Sequence, residues 1–110
     1  MPYIILTMWY PTHKREEAIK KYIEVLKKYP QSKVPGKMSV PVAVTTNKNG
    51  IVAMRIREVK TGEAQAFADA LTMTSQQMAE FQVIEGLEYK IRVWDTISEA
   101  MANIGRESPE

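Results

Sequence analysis

Met38–Arg57, MSVPVAVTTNKNGIVAMRIR, reads as two strands joined by a tight turn. Met38, Val40, Val42 and Val44 alternate with Ser39, Pro41, Ala43 and Thr45. That period of two places successive side chains on opposite faces of a sheet. Asn49-Gly50 supplies the turn, because tight hairpin turns need residues that tolerate positive φ. The return strand, Ile51 to Val59, divides into Val52, Met54 and Ile56 on one side and Ala53, Arg55 and Arg57 on the other. Pro41 has no amide hydrogen to donate, so the first strand belongs at a sheet edge or carries a bulge.

Upstream of this hairpin, Ile19, Tyr22, Ile23 and Leu26 recur at i, i+3, i+4 and i+7, one apolar stripe of a helix, extended by Ala18 and Tyr29. Glu16–Lys20, Glu17–Lys21 and Glu24–Lys28 are spaced for favourable i, i+4 pairs. Thr12 reads as the N-cap and Pro30 bars continuation, leaving Gln31 to Lys37 as a loop. Tyr3 to Tyr10 is aliphatic and aromatic except at Thr7, too short for a core helix, and reads as a buried central strand ended by Pro11.

Downstream, Phe67, Leu71, Thr74, Met78 and Phe81 form a second helical stripe. Thr74 with Gln77 also fits a capping box, so this helix is either continuous or hinged near residues 72–75. Gly86 reads as its C′ residue. Leu87 to Trp94 alternates as a fourth strand. Thr96-Ile97-Ser98-Glu99 is a capping box that opens a short helix carrying Ile97, Ala100, Met101 and Ile104.

The order is therefore β-α-β-β-α-β plus a short C-terminal helix, the α+β ferredoxin-like pattern. It predicts a four-stranded antiparallel sheet with both amphipathic helices on one face. Ile4, Leu6 and Met8 are assigned to the helices, with Val40, Val42, Val44, Val52, Met54, Ile56, Tyr89, Ile91 and Val93. The second face would carry Tyr3, Ile5, Thr7, Trp9, Ala43, Thr45, Ala53, Arg55, Arg57, Lys90, Arg92 and Trp94. A face bearing Ile5 and two tryptophans marks an interaction site. A second subunit, a nucleic acid or a small ligand could cover it.

Composition narrows the choice. The chain has 110 residues, 45% hydrophobic and 25% charged, which suits one domain over 1–105 with a polar tail at 106–110. There is no cysteine and one histidine, so neither thiolate chemistry nor a histidine-built metal site is expected, and no cofactor is implied. A net charge of +2 argues against nucleic-acid coating. The third strand also lacks the aromatic and the RNP1 pattern of single-strand binders. No apolar run reaches membrane-spanning length, and the lack of a signal sequence makes the cytoplasm the expected location.

The first strand, the Asn-Gly hairpin, and the segment Leu87–Met101 resemble the dimeric α/β-barrel superfamily. That group includes stress-responsive barrel proteins and small monooxygenases. The resemblance implies a homodimer whose open sheet faces pack together, with ligands bound between sheet and helices or in the barrel interior. No catalytic signature carries over: the Asn–Trp–His set of haem-degrading members is not placed, and cyclase-like members use several histidines where this chain has His13 alone.

Two clusters are candidate sites. His13, Lys14 and Arg15 follow Trp9 and Tyr10 at a helix start, where free amides and cations could hold an anion and His13 could move a proton. The bland alternative is a solvated basic turn moderated by Glu16 and Glu17. Arg55, Arg57 and Arg92 with Trp9, Trp94 and Thr45 suit an aromatic acid, or equally a subunit interface with arginine stems stacked on indoles. Met8, Met54 and Met78 are expected to fill the core. The leading expectation is a homodimeric barrel that binds a small aromatic or acidic ligand, with enzymatic activity left open. The enzyme version is a cofactor-independent monooxygenase with His13 or a nearby tyrosine as base and Arg55 or Arg92 on an enolate. A single-stranded nucleic-acid module is the further alternative.

Overall fold

Tyr3–Tyr10 forms the inner strand β1, hydrogen-bonded on both sides, as its unbroken apolar character requires. In the computed structural model, which describes residues 2–30, 33–60 and 62–105, a 3-10 turn at Thr12–Lys14 leads into helix α1, Arg15–Lys28. Strands β2, Lys37–Asn47, and β3, Gly50–Glu58, form the hairpin. Helix α2, Ala64–Phe81, strand β4, Glu88–Trp94, and helix α3, Ile97–Asn103, complete the chain. The strands lie in the order β2-β3-β1-β4, antiparallel throughout. This is the ferredoxin-like α+β fold. The expected polar tail at 106–110 lies outside the described residues.

Both readings of Pro41 hold. β2 is the sheet edge, and its register against β3 shifts between Met38 and Val40 and again between Val40 and Ala43. Gly50 has φ 142°, and a Cβ there would strike the Tyr10 carbonyl, so the turn and its seat against β1 both require glycine. Asn47 steadies the turn by accepting the Asn49 amide, 2.8 Å.

One core lies under the helices. Leu6, Tyr10, Ile51 and Ala53 of the sheet pack with Ala18 and Val25 of α1 and with Met78 and Phe81 of α2. Ile4, Val34, Val59 and Ala70 continue it toward the other end. α1 buries Ala18 and Val25 most deeply, so the expected stripe is rotated and leaves Ile19 and Ile23 half exposed. α1 and α2 are joined by Lys28 to Glu80, 3.3 Å.

Of the two readings of α2 the continuous one holds: the Thr74 hydroxyl donates to the Ala70 carbonyl, 2.8 Å, one turn back, and caps nothing. Several other local expectations are corrected. α2 ends at Phe81, so Gly86 belongs to the turn before β4. Thr12 is not a cap, since α1 begins at Arg15 after the 3-10 turn. Among the described residues the local ion pairs along α1 and its N-cap are Lys14–Glu17, 3.3 Å, and Lys21–Glu24, 2.9 Å, both at i, i+3 instead of i, i+4. The Thr96 capping box is present as read, with both reciprocal bonds to Glu99.

The largest correction concerns β3. Leu6 pairs with Arg55 and Ile4 with Arg57, so both arginines point toward the helices. Val52, Met54 and Ile56, opposite Trp9, Thr7 and Ile5, lie on the open face. Val40 joins them, opposite Ile56, because the register shift at Pro41 changes the side it presents. β3 is apolar on both sides, so alternation alone cannot orient it. Ile51 and Val59 share parity with the arginines and are buried to 2% and 0% exposure, which sets which side faces in.

Candidate functional site

The two arginines on the inner side of β3 do different work. Arg57 is 3% exposed and donates from Nη1 to the carbonyls of Val34, Pro35 and Gly36, 3.2–3.5 Å. It ties the loop between α1 and β2 to the sheet. Gly36, with φ 98°, brings that loop so close to β3 that a Cβ would strike the Glu58 carbonyl. Arg57 is thus a structural staple.

Arg55 is 8% exposed, and its Nη2 donates to Gln77 Oε1, 2.8 Å. No carboxylate among the described residues pairs with it. Burial, with Arg57 nearby, pulls its pKa down to about 10, so it remains cationic at neutral pH. α2 supplies Gln77, itself 1% exposed, from the same inward stripe as Thr74, Met78 and Phe81. Beside Arg55 lies a cavity of about 40 Å³ between sheet and helices, walled chiefly by Leu6, Met8, Tyr22, Leu26, Val42 and Phe81. That is room for about three waters. An apolar lining with one convergent cation is shared with small-molecule sites, but at about 40 Å³ the chamber holds only one end of such a molecule.

The other predicted residues do not gather there. Trp9 and Trp94 lie on the open face, 38% and 58% exposed, on the opposite side of the sheet from Arg55 and Arg57. The expected cluster of three arginines around two indoles is therefore not formed. Arg92 and Thr45 are on the open face, opposite Ile5 and Val52. Tyr10 is buried in the core, and burial raises its phenol above the ordinary value, with Arg15 opposing. His13 is exposed in the 3-10 turn, Lys14 pairs with Glu17, and Arg15 is exposed at the start of α1. His13, Arg55 and Arg92 thus occupy the turn between β1 and α1 and two opposite faces of the sheet, so His13 is not the base that meets either arginine; Tyr22 is the tyrosine that lines the cavity with Arg55. Met54, expected in the core, is on the open face and 37% exposed.

A second depression, about 520 Å³ and open to solvent, lies where β1 ends, between Trp9, Tyr10, Asn47, Asn49, Glu88, Tyr89 and Lys90. Among the described residues, no group of His, Cys, Asp and Glu is placed to hold a metal. No helix is long and apolar enough to cross a membrane.

The sequence presents Gln77 only as part of a helix cap and Tyr22 only as part of the α1 stripe, so neither is expected at the site. Gln77 falls four residues before Phe81 and one before Met78, on an inward stripe, and a polar residue there was the available signal.

The architecture defines a ferredoxin-like α+β domain with a small arginine-floored cavity under its helices. No protein-family model matches the sequence, and no curated protein matches it. Among solved structures, the de novo designed protein Foldit4 is similar over 86% of this chain and 96% of its own, with 15% identity and a TM-score of 0.53. A protein from Shewanella loihica PV-4, described as a putative monooxygenase, is similar over 86% of this chain and 93% of its own, with 16% identity and a TM-score of 0.49. The first likeness speaks for the fold alone.

Proposed function

We propose that this chain works as a homodimeric α/β barrel, two copies packing open face to open face, and that it binds a small ligand. The observation that carries the reading is the make-up of the open face. Because Arg55 and Arg57 turn inward, that face presents Ile5, Trp9, Val52, Met54, Ile56 and Trp94 together across three strands. A contiguous apolar sheet surface of this kind, left in water, marks an interaction site. Cations and acids sit around it: Lys37 and Glu58 face each other on β2 and β3, and Lys90, Arg92 and Glu88 lie along β4. Ile5, Met54 and Ile56 at the centre, with the two tryptophans and the charges toward the rim, is the anatomy of a protein interface. A nucleic acid fits less well, since the centre of the face is aliphatic and the chain is nearly neutral.

Sedimentation over a wide concentration range tests the reading. A dimer is expected. Acrylamide quenching of the chain's two tryptophans should fall as it forms, because both lie on the joined face. A chain that stays monomeric at high concentration with both indoles fully quenchable overturns it.

A further inference from the structure

We infer that the cavity at Arg55 is a binding site for a monocarboxylate with a hydrocarbon body, the carboxylate on the guanidinium and the body running out between α1 and β2. This deepens the ligand half of the proposed function and is independent of the dimer half, because the cavity opens on the helix side of the sheet.

The charge comes first. A guanidinium has five donors in a planar fork. Among the described residues one of Arg55's donors is used, by Gln77, and the side chain is only 8% exposed. Arg57, the other inner arginine, meets three backbone carbonyls instead. Arg55 is therefore a buried cation short of an anion. A carboxylate matches its fork with two parallel bonds. Tyr22 lines the same cavity as Arg55.

The walls set the rest of the ligand. Apart from Arg55 and Tyr22 they are hydrocarbon, thioether or phenyl: Leu6, Met8, Leu26, Val42 and Phe81. One cation in such a lining suits one negative charge, and a dianionic phosphate would stay uncompensated. The cavity of about 40 Å³ seats a carboxylate and little more. The body must leave by the side away from α2. On α1, the side carrying Lys28 meets Glu80 of α2, so Ile19, Ile23 and Leu26 lie on the opposite flank. Ile23 is 49% exposed there, and Val42 and Val44 of the edge strand are also exposed. These residues give an apolar chain somewhere to lie.

The probes are octanoate, octanol and acetate, titrated calorimetrically into the full chain while sedimentation of the same samples records its oligomeric state. Octanoate is expected to bind at least tenfold more tightly than either octanol, which lacks the charge, or acetate, which lacks the body. Arg55→Met should abolish the preference for octanoate over octanol, and Arg55→Lys should keep part of it. Val42→Trp, at an exposed edge position that leaves the core intact, should block octanoate even if Arg55→Met folds poorly. Equal binding of octanoate and octanol, undiminished octanoate binding in Arg55→Met or Val42→Trp, or no octanoate binding at all overturns the assignment. A dimer without octanoate binding sinks this inference and leaves the interface standing, and the converse result does the opposite.

Discussion

At the scale of single residues, Arg55 and Arg57 show how two identical side chains on one strand acquire different meanings. Arg57 spends its donors on carbonyls that would otherwise be orphaned in a loop. Arg55 holds a charge in an apolar chamber, and a pKa pulled to about 10 corresponds to a cost of the order of 3 kcal/mol to the fold. Its folded value is depressed, so that cost is fully present at neutral pH and fades only as the pH rises past about 10. Replacing Arg55 and its partner together, as Arg55→Met with Gln77→Leu, removes the charge without leaving a buried amide unmatched. Thermal or urea unfolding at neutral pH should find the double variant as stable as the parent or up to about 2 kcal/mol more stable; a clear loss would make Arg55 a structural group. Tyr10 has the opposite sign. Its phenol is raised above 10.0 by burial, so it stabilises the fold below that pH and loses its contribution as the pH climbs through its folded value. Tyr10→Phe should flatten the alkaline side of the stability profile above about pH 10, read by denaturant unfolding at stepped pH, while the profile between pH 6 and 9 keeps its shape.

At the scale of elements, local chemistry succeeds where a segment answers mainly to itself. α3 is seven residues long and stands on its capping box, with Thr96 accepting from the Glu99 amide and Glu99 from the Thr96 amide. Ile97 and Ile104 are exposed, so packing adds little to it. Thr96→Ala should therefore cost about 1 kcal/mol locally. Faster amide exchange across Ile97–Asn103 with an almost unchanged global melting temperature is the expected result; an equal loss in both would mean that α3 is locked into the core. Thr74 shows the reverse. Its fit to a cap is overridden because α2 is packed along its length by Ala70, Gln77, Met78 and Phe81, and a break would expose that face.

At the scale of the whole molecule, the question is what covers the sheet. The helices take one side, and the other carries Trp9, Met54 and Trp94 in contact with water. Met54, opposite Thr7 on β1 and Ala43 on β2, is away from both sheet edges. Met54→Lys places a charge there that is free in the monomer and buried in the dimer. It should weaken association by about 3 kcal/mol, roughly a hundredfold, with unchanged far-ultraviolet circular dichroism. Sedimentation at matched concentrations reads the shift, and an unaffected dimer would place the interface on another surface.

The order of elements, the edge position of β2, the hairpin at Asn49-Gly50, the capped C-terminal helix and the inner side of β1 and β4 are all legible in the sequence. Each depends on periodicity, proline, glycine or capping chemistry within a few residues. The orientation of β3 was not legible. Its two faces are both rich enough in apolar side chains to be buried, and the hydrogen-bonded register with β1 chose between them. That choice carried the candidate site with it: the arginines expected beside the indoles lie under the helices, and Gln77 meets Arg55 across 22 residues of chain. Contacts of that separation have no local signature, because they exist only when a helix is laid across a particular strand. Tertiary packing alone therefore decided where the buried charge sits and how apolar the open face became.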